Sequence, residues 1–157
     1  MHRLSGIALA VEHAQRQRDR LAEAHAHTQR TLADAQAQLE QLQTYARDTD
    51  ARWIGATGSA YSAEVLRHYY QFGGRLQQAI QMQSGVIAGV ANAVGEAHAA
   101  LLQGEFRLAA IQRLHATRLQ QIQQMKSRRE QIQSDELATM QFLRTRKTLK
   151  SGVLHGT

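Results

Sequence analysis

The stretch WIGATGSAYS, residues 53–62, separates two long segments that each carry a helical pattern of apolar residues. Gly55 and Gly58 can adopt positive φ, which lets a glycine end a helix. A connection this short makes consecutive helices antiparallel neighbours. The sequence therefore predicts a first helix at about 3–53, a turn at about 54–61 and a second helix at about 62–147.

The sequence predicts where the second helix begins and an irregularity near its Gly73-Gly74 pair. Ser62 is a candidate N-cap, with Glu64 in the first turn where the helix dipole favours an acid, and Ser59 is a competing cap. Gly73 and Gly74 each cost about 1 kcal/mol relative to alanine inside a helix. They predict a kink or a break, with a bending or close-contact site as the alternative, and residues 148–157 are expected to be frayed.

The composition favours a thin helical protein. Ala, Gln, Leu and Arg, all strong helix formers, make up half of the 157 residues, and only 5% are aromatic. Without cysteine, a disulfide framework and a thiolate zinc site are excluded. Because no run approaches about 18 uninterrupted apolar residues, we expect no transmembrane segment and a cytoplasmic location. The predicted fold class is all-α, an antiparallel coiled-coil hairpin that forms a single rod over residues 1–157.

Heptad repeats fix the predicted pairing of the two helices. The a and d positions run without a gap from Leu4 to Thr49 in the first helix and from Leu66 to Ile132 in the second. One register places large seam residues opposite small ones and so avoids voids. It pairs Leu21 with Leu101, Ala14 with Leu108, Leu39 with Gln83, His25 with Ala97 and Arg18 with Gly104.

In this register the second helix extends beyond the first, because residues after about 119 have no partner. An apolar stripe nevertheless continues there, through Leu119, Ile122, Met125 and Ile132. Residues 119–157 also hold +4 of the net charge of +6. This combination indicates a docking element, with a merely frayed and solvated end as the alternative. Nucleic acid is an unfavoured partner, because the segment offers no aromatic platform for stacking bases.

No pattern of catalytic or ligand-binding residues stands out. The chain lacks the glycine-rich phosphate loops and the zinc-protease and serine-hydrolase motifs. Its eight histidines are scattered rather than grouped at metal-ligand spacing, and its carboxylates alternate with arginines as on solvated helix faces. We therefore predict that the protein is not an enzyme and has no catalytic residue, cofactor or metal site.

Two stretches that flank the turn point to a known family. LEQLQTYARD (39–48) near the end of the first helix and AEVLRHYYQFGGRLQQAIQMQ (63–83) at the start of the second resemble the FliJ family of flagellar type III export proteins. The resemblance covers nearly the whole chain. It implies a soluble stalk or adaptor with two ends: one inserts into the hexameric export ATPase, and the other contacts the cytoplasmic domain of the export-gate membrane protein. It also implies an association with export chaperones and a peripheral association with the inner membrane.

The resemblance further implies a gate-binding patch near the turn. Its matching residues are Gln38, Leu42, Tyr45, Phe72, Leu76 and Ala79. Two outer positions depart from the family, since Thr49 replaces a typical aromatic residue and Gln83 a usual histidine. Heptad positions support the geometry independently, because Tyr45 and Phe72 both occupy g positions, which normally carry polar residues.

The opposite end is the predicted ATPase-facing tail, for which no motif assigns single residues. Its candidate residues are Ile122, Met125, Arg128, Arg129, Arg144 and Arg146. Two alternatives remain open: the equivalent stalk of a virulence type III secretion system, and a structural coiled coil that associates with a second copy through its apolar tail.

Overall fold

The protein consists of two helices. The computed structural model describes residues 2–55 and 61–153, with side chains from residue 4 onward. Helix α1 spans His2–Gly55 and helix α2 spans Ala63–Val153. The described residues include no strand. The all-α prediction is confirmed.

The chain divides into two compact units. One, called the hairpin unit, comprises His13–Leu108, and the other, called the terminal unit, comprises Met1–Glu12 together with Ala109–Thr157. The single rod over residues 1–157 stays a prediction.

Contacts in the hairpin unit show that α1 and α2 run antiparallel. Residues later in α1 contact residues earlier in α2. The contacts of Leu21, Ala35 and Tyr45 are made with successively earlier α2 residues. The order of the α2 partners is Gly104, then Gln83, then Phe72. These contacts confirm the antiparallel hairpin.

The predicted heptad seam is the buried face of both helices. Every predicted a and d position from Leu4 to Thr49 and from Tyr69 to His115 is buried or half-buried. Leu66, the first predicted seam residue of α2, is an exception with 40% exposure. The buried hydrophobic residues in the described part of the chain are Ala14, Ala35 and Leu108. A two-helix layer covers only one stripe of each helix, so its core is thin.

Gly104 of α2 lies close to α1. A methyl group added there would lie 2.7 Å from Cδ1 of Leu21 and 3.7 Å from Cα of Arg18. Both Gly104 and Leu108 are buried. The predicted juxtaposition of Arg18 with Gly104 is therefore confirmed. The imidazole of His25 contacts that of His98, at 5.3 Å between ring centroids, and so lies beside the predicted partner Ala97.

Charge plays little part in this pairing. Among the described residues, the one ion pair joins the sequence neighbours Arg18 and Asp19 on α1. A polar contact across the helices comes instead from Gln83, whose Nε2 donates to the carbonyl oxygen of Ala35 at 2.8 Å. Packing of the seam and this amide contact hold α1 and α2 together here.

Helix α2 begins as its capping residues predict. The backbone N–H of Val65 donates to the hydroxyl of Ser62 at 3.3 Å, and the N–H of Leu66 to its carbonyl at 3.2 Å. Glu64 lies in the first turn. Helix α1 continues through Ile54 to Gly55, two residues beyond the predicted end. The expectations for Gly58 and Ser59 lie outside the described residues.

Two expectations for α2 are wrong. The helix is not broken at Gly73 and Gly74. The positive φ expected of Gly55 at the end of α1 is likewise absent. The free-energy cost of two glycines in a helix is small compared with the stabilisation from the many helix-forming residues on either side. The helix also ends at Val153 rather than 147, so residues 148–153 are helical instead of frayed. Thr148 and Ser151 donate their hydroxyls to carbonyls of the preceding turn, and Lys150 suits the negative end of the dipole.

In the terminal unit, burial stops abruptly along α2. Ile7 and Val11 are half-buried, as are Ile111 and His115. Every described residue from 116 to 153, here called the tail segment, is exposed. The predicted extension of the C-terminal helix beyond its partner is confirmed by this loss of burial.

Helix α2 also contains an 18-residue window that is apolar enough to cross a membrane by length and composition. The expectation that the chain has no transmembrane segment stays a prediction. One such helix is weak evidence for a span, because a helix of a soluble coiled coil can pass the same test. The seam residues of α2 pack against α1 in the hairpin unit, which accounts for their apolar character.

Candidate functional site

Tyr45 of α1 and Phe72 of α2 form an exposed aromatic pair in the hairpin unit. Their ring centroids are 5.9 Å apart in an edge-to-face arrangement, at an interplanar angle of 79°. Tyr45 is 54% exposed and Phe72 is 41% exposed. Such ring pairs contribute about 0.5–1.5 kcal/mol beyond the area they bury. The pair thus holds two large rings in a fixed orientation at the surface.

The other predicted patch residues surround this aromatic pair along the two helices. Leu42, Leu76 and Ala79 are half-buried, and Gln38 is exposed. Nε2 of Gln83 donates to Oε1 of Gln38 at 3.2 Å, so Gln83 bridges α1 and α2 beside the patch. Thr49 donates its hydroxyl to the carbonyl of Tyr45 at 2.8 Å and adds no ring. The structure therefore shows two separate contacts between the helices in this region, the aromatic pair and the amide pair.

An aromatic cluster that the sequence reasoning missed lies between this patch and the turn. Trp53 contacts Tyr69 at 4.1 Å and Tyr61 at 4.8 Å between ring centroids, and Tyr69 contacts Tyr70 at 5.6 Å. We call these residues, with Asp50, the tip cluster. Four of the eight aromatic residues of the chain stand within residues 53–70, a density that could have signalled it.

One hydrogen bond in the tip cluster joins the two helices. The hydroxyl of Tyr69 donates to Oδ1 of Asp50 at 2.7 Å. This bond to the Asp50 carboxylate, together with some desolvation and the negative charges of Asp50 and Tyr70, raises the pKa of Tyr69 above its ordinary value of 10.0. Tyr69 therefore stays protonated and able to donate throughout the neutral range.

The predicted tail residues all lie in the tail segment and are exposed. Leu119 and Ile122 are each a little under half exposed, and Met125 and Ile132 are more than half exposed. Arg128 and Arg129 lie between Met125 and Ile132 on the same helix, while Arg144 and Arg146 lie two turns before its end. The structure thus presents apolar and cationic groups together without covering either.

Metal-ligating groups do not assemble in the described part of the chain. No group of three or more histidine, cysteine, aspartate or glutamate residues converges there. Histidines 25 and 98 meet as a pair across the helices. The surface features that do stand out are aromatic and apolar, and these are groups that recognise other proteins.

These features define an all-α helical hairpin that exposes an aromatic pair on one unit and an apolar and basic helix on the other. The chain matches the family model described as "Flagellar FliJ protein" over residues 7–147 and belongs to that family. Membership indicates a structural or adaptor protein with a role related to flagellar protein export. No curated protein and no solved structure was found to match.

Proposed function

We propose that the protein is a stalk-like adaptor that links the flagellar export ATPase to the export gate. The patch around Tyr45 and Phe72 binds the cytoplasmic domain of the gate protein, and the tail segment enters the hexameric ATPase. The adaptor also assists export chaperones. It works in the cytoplasm, in peripheral association with the export apparatus at the inner membrane.

The exposed pair of Tyr45 and Phe72 is the observation that carries the gate assignment. Large rings at a helix-pair surface are costly to leave in water, and interfaces concentrate their binding energy in such residues. The rings contact each other, so little conformational freedom is lost when a partner covers them. Leu42 and Leu76 add apolar area to the patch, and Gln38 and Gln83 add hydrogen-bonding groups.

The test is the double substitution Tyr45→Ala and Phe72→Ala, followed by calorimetric titration with the purified gate domain. Removing two anchor residues is expected to weaken binding by about 30-fold or more. Phe106→Ala is the matched control, because Phe106 is an aromatic residue of α2 with 74% exposure outside the patch. Unchanged affinity of the double variant, with an intact helical circular dichroism spectrum, would defeat the assignment.

The ATPase contact is supported by the tail segment. A single helix in a six-fold ring cannot meet all six subunits alike, so its insertion breaks the symmetry of the ring. The exposed stripe of the tail segment can pack against apolar surfaces in the ring, while its arginines pair with acidic groups there. Hydrolysis in the ring is thereby coupled to the adaptor.

Deletion of residues 119–157 tests this contact through stimulation of ATPase turnover. The truncated chain is expected to lose stimulation yet bind the gate domain with wild-type affinity, because the patch lies in the hairpin unit. The double charge reversal Arg128→Glu and Arg129→Glu in the full chain should lower stimulation in a salt-dependent way. Full stimulation by the truncated chain would remove the tail segment from the mechanism.

Self-association is the second candidate, favoured by the same uncovered stripe in the tail segment. Two copies could bury Leu119, Ile122 and Met125 against each other as a coiled coil. Sedimentation at micromolar concentration separates the candidates, since a monomer contradicts self-association. The alternative of a virulence secretion stalk is disfavoured by the flagellar family match, and the neighbouring genes would decide it.

A further inference from the structure

The proposed gate-binding patch depends on how α1 and α2 are held next to the turn, where the aliphatic seam is weak. Leu66, the predicted seam residue nearest the turn on α2, is 40% exposed and does not fill the interface. Gly73, the next a position, has no side chain to offer, and Gly74 follows it. Phe72 is therefore adjacent to a stretch that cannot fix its rotation by ordinary seam packing.

The tip cluster supplies what the seam lacks. Tyr69 lies three residues before Phe72, close to one helical turn, so whatever holds Tyr69 also sets the direction of Phe72. Tyr69 is held twice, by the indole of Trp53 at 4.1 Å and by Oδ1 of Asp50 at 2.7 Å. Both partners belong to α1, the helix that carries Tyr45.

We propose that Asp50 and Tyr69 are positioning residues for the gate-binding patch: their hydrogen bond holds Phe72 against Tyr45 without either residue touching the gate. This role rests on the proposed function and deepens it. Opening of the bond lets the start of α2 rotate and separates the two rings, so that the gate domain must restore their contact when it binds. Part of the binding energy is then lost.

The experiment compares full-length variants in calorimetric titrations with the purified gate domain. Tyr69→Phe removes only the hydroxyl and is expected to weaken binding about three- to tenfold. Asp50→Ala should weaken it equally, and the double variant no further, because both changes delete the same bond. Asp50→Asn keeps an acceptor oxygen and should restore most of the affinity.

Tyr70→Phe is the matched control, since it removes a hydroxyl from the neighbouring residue of the same cluster. The structure gives the hydroxyl of Tyr70 no hydrogen bond among the described residues, so binding should stay within about twofold of wild type. The fluorescence of Trp53, the single tryptophan, should change with Tyr69→Phe, because its ring contacts that of Tyr69. Stimulation of the ATPase by the Tyr69→Phe variant should stay at the wild-type level. A substitution that unfolded the protein would lower this stimulation as well.

The outcomes separate this inference from the proposed function. If the wild-type chain does not bind the gate domain, the proposed function and the positioning role both fail. If the double substitution of Tyr45 and Phe72 abolishes binding while Tyr69→Phe and Asp50→Ala leave it unchanged, the positioning role alone is overturned. Equal losses of gate binding and ATPase stimulation in Tyr69→Phe would also overturn it, since they indicate general destabilisation.

Discussion

Helix α2 is one continuous helix, but its two parts differ in solvent exposure. From Tyr69 to His115 its seam positions are buried or half-buried, whereas every described residue of the tail segment is exposed. Both parts are rich in leucine and glutamine, although most of the alanine lies in the first part. They differ in whether an apolar stripe is covered.

This contrast distinguishes the position of the apolar face of a helix from the burial of that face, which a heptad pattern alone does not distinguish. Periodicity reports which face of a helix is apolar, while burial depends on the length of the partner helix. A covered stripe stabilises the hairpin unit. An uncovered stripe contributes little to folding and leaves its apolar area for a partner.

The largest expected difference between the two parts is in amide hydrogen exchange. Isolated helices are marginal in water, and most helical stability comes from packing of the apolar face. Amides of the tail segment should therefore exchange about 100-fold or more faster than those near Ala14 and Leu108, measured by mass spectrometry at neutral pH. Equal protection along α2 would mean that the tail segment is covered in solution, as in a self-associated form.

The next effect is on the free energy of unfolding. Leu108→Ala removes a side chain that is only 5% exposed and should cost about 2 kcal/mol, the lower end for buried leucines because the core is thin. Leu119→Ala removes the same atoms from a residue that is 46% exposed and should change stability by less than about 0.5 kcal/mol. Urea titration followed by circular dichroism measures both, and equal losses would contradict the contrast between the two parts.

Two glycines sharpen the comparison within the hairpin unit. Gly104→Leu forces a branched side chain against Leu21 and the backbone of Arg18 and should destabilise the protein by about 1–2 kcal/mol. Gly89→Ala adds a methyl group with nothing within 4 Å and should stabilise it by up to about 1 kcal/mol. Thermal denaturation gives both values, and destabilisation by Gly89→Ala would reveal a neighbour on that face.

The smallest effect is a pH dependence next to the turn. Because folding raises the pKa of Tyr69, its contribution to stability is complete below pH 10 and is lost as the pH rises through the folded value. Trp53 fluorescence should therefore change above pH 10, and Tyr69→Phe should abolish that change. The same alkaline transition in the Tyr69→Phe variant would assign it to another group.

Much of this architecture can be predicted from the sequence because long heptads determine it. The seam, the register at Arg18 and Gly104, and the cap at Ser62 all follow from local rules of spacing and capping. The exposed juxtaposition of Tyr45 and Phe72 was also predictable, since both occupy g positions next to the same turn. Their role in binding the gate stays a prediction.

Other features were decided by interactions that local rules do not contain. The heptad pattern assigns Tyr69 to the seam, but its position also allows a hydrogen bond to Asp50 and a contact with Trp53 on the facing helix. The glycines at 73 and 74 were predicted to interrupt α2, whereas the helix formers on both sides carry it through. Propensity at single positions thus predicted less well than the pattern over many turns.

Gly104 has one further consequence, for sliding of the helices past one another. Seams built from leucine and alanine resemble themselves after seven residues, so a hairpin of this kind risks locking in the wrong alignment. A Cβ atom at Gly104 would lie 2.7 Å from Cδ1 of Leu21, so a larger residue there must displace the Leu21 side chain. A shift of one heptad would bring Ile111 or Ala97 opposite Arg18 in place of this glycine. Gly104 therefore favours the register of α1 and α2 in which Tyr45 and Phe72 lie side by side.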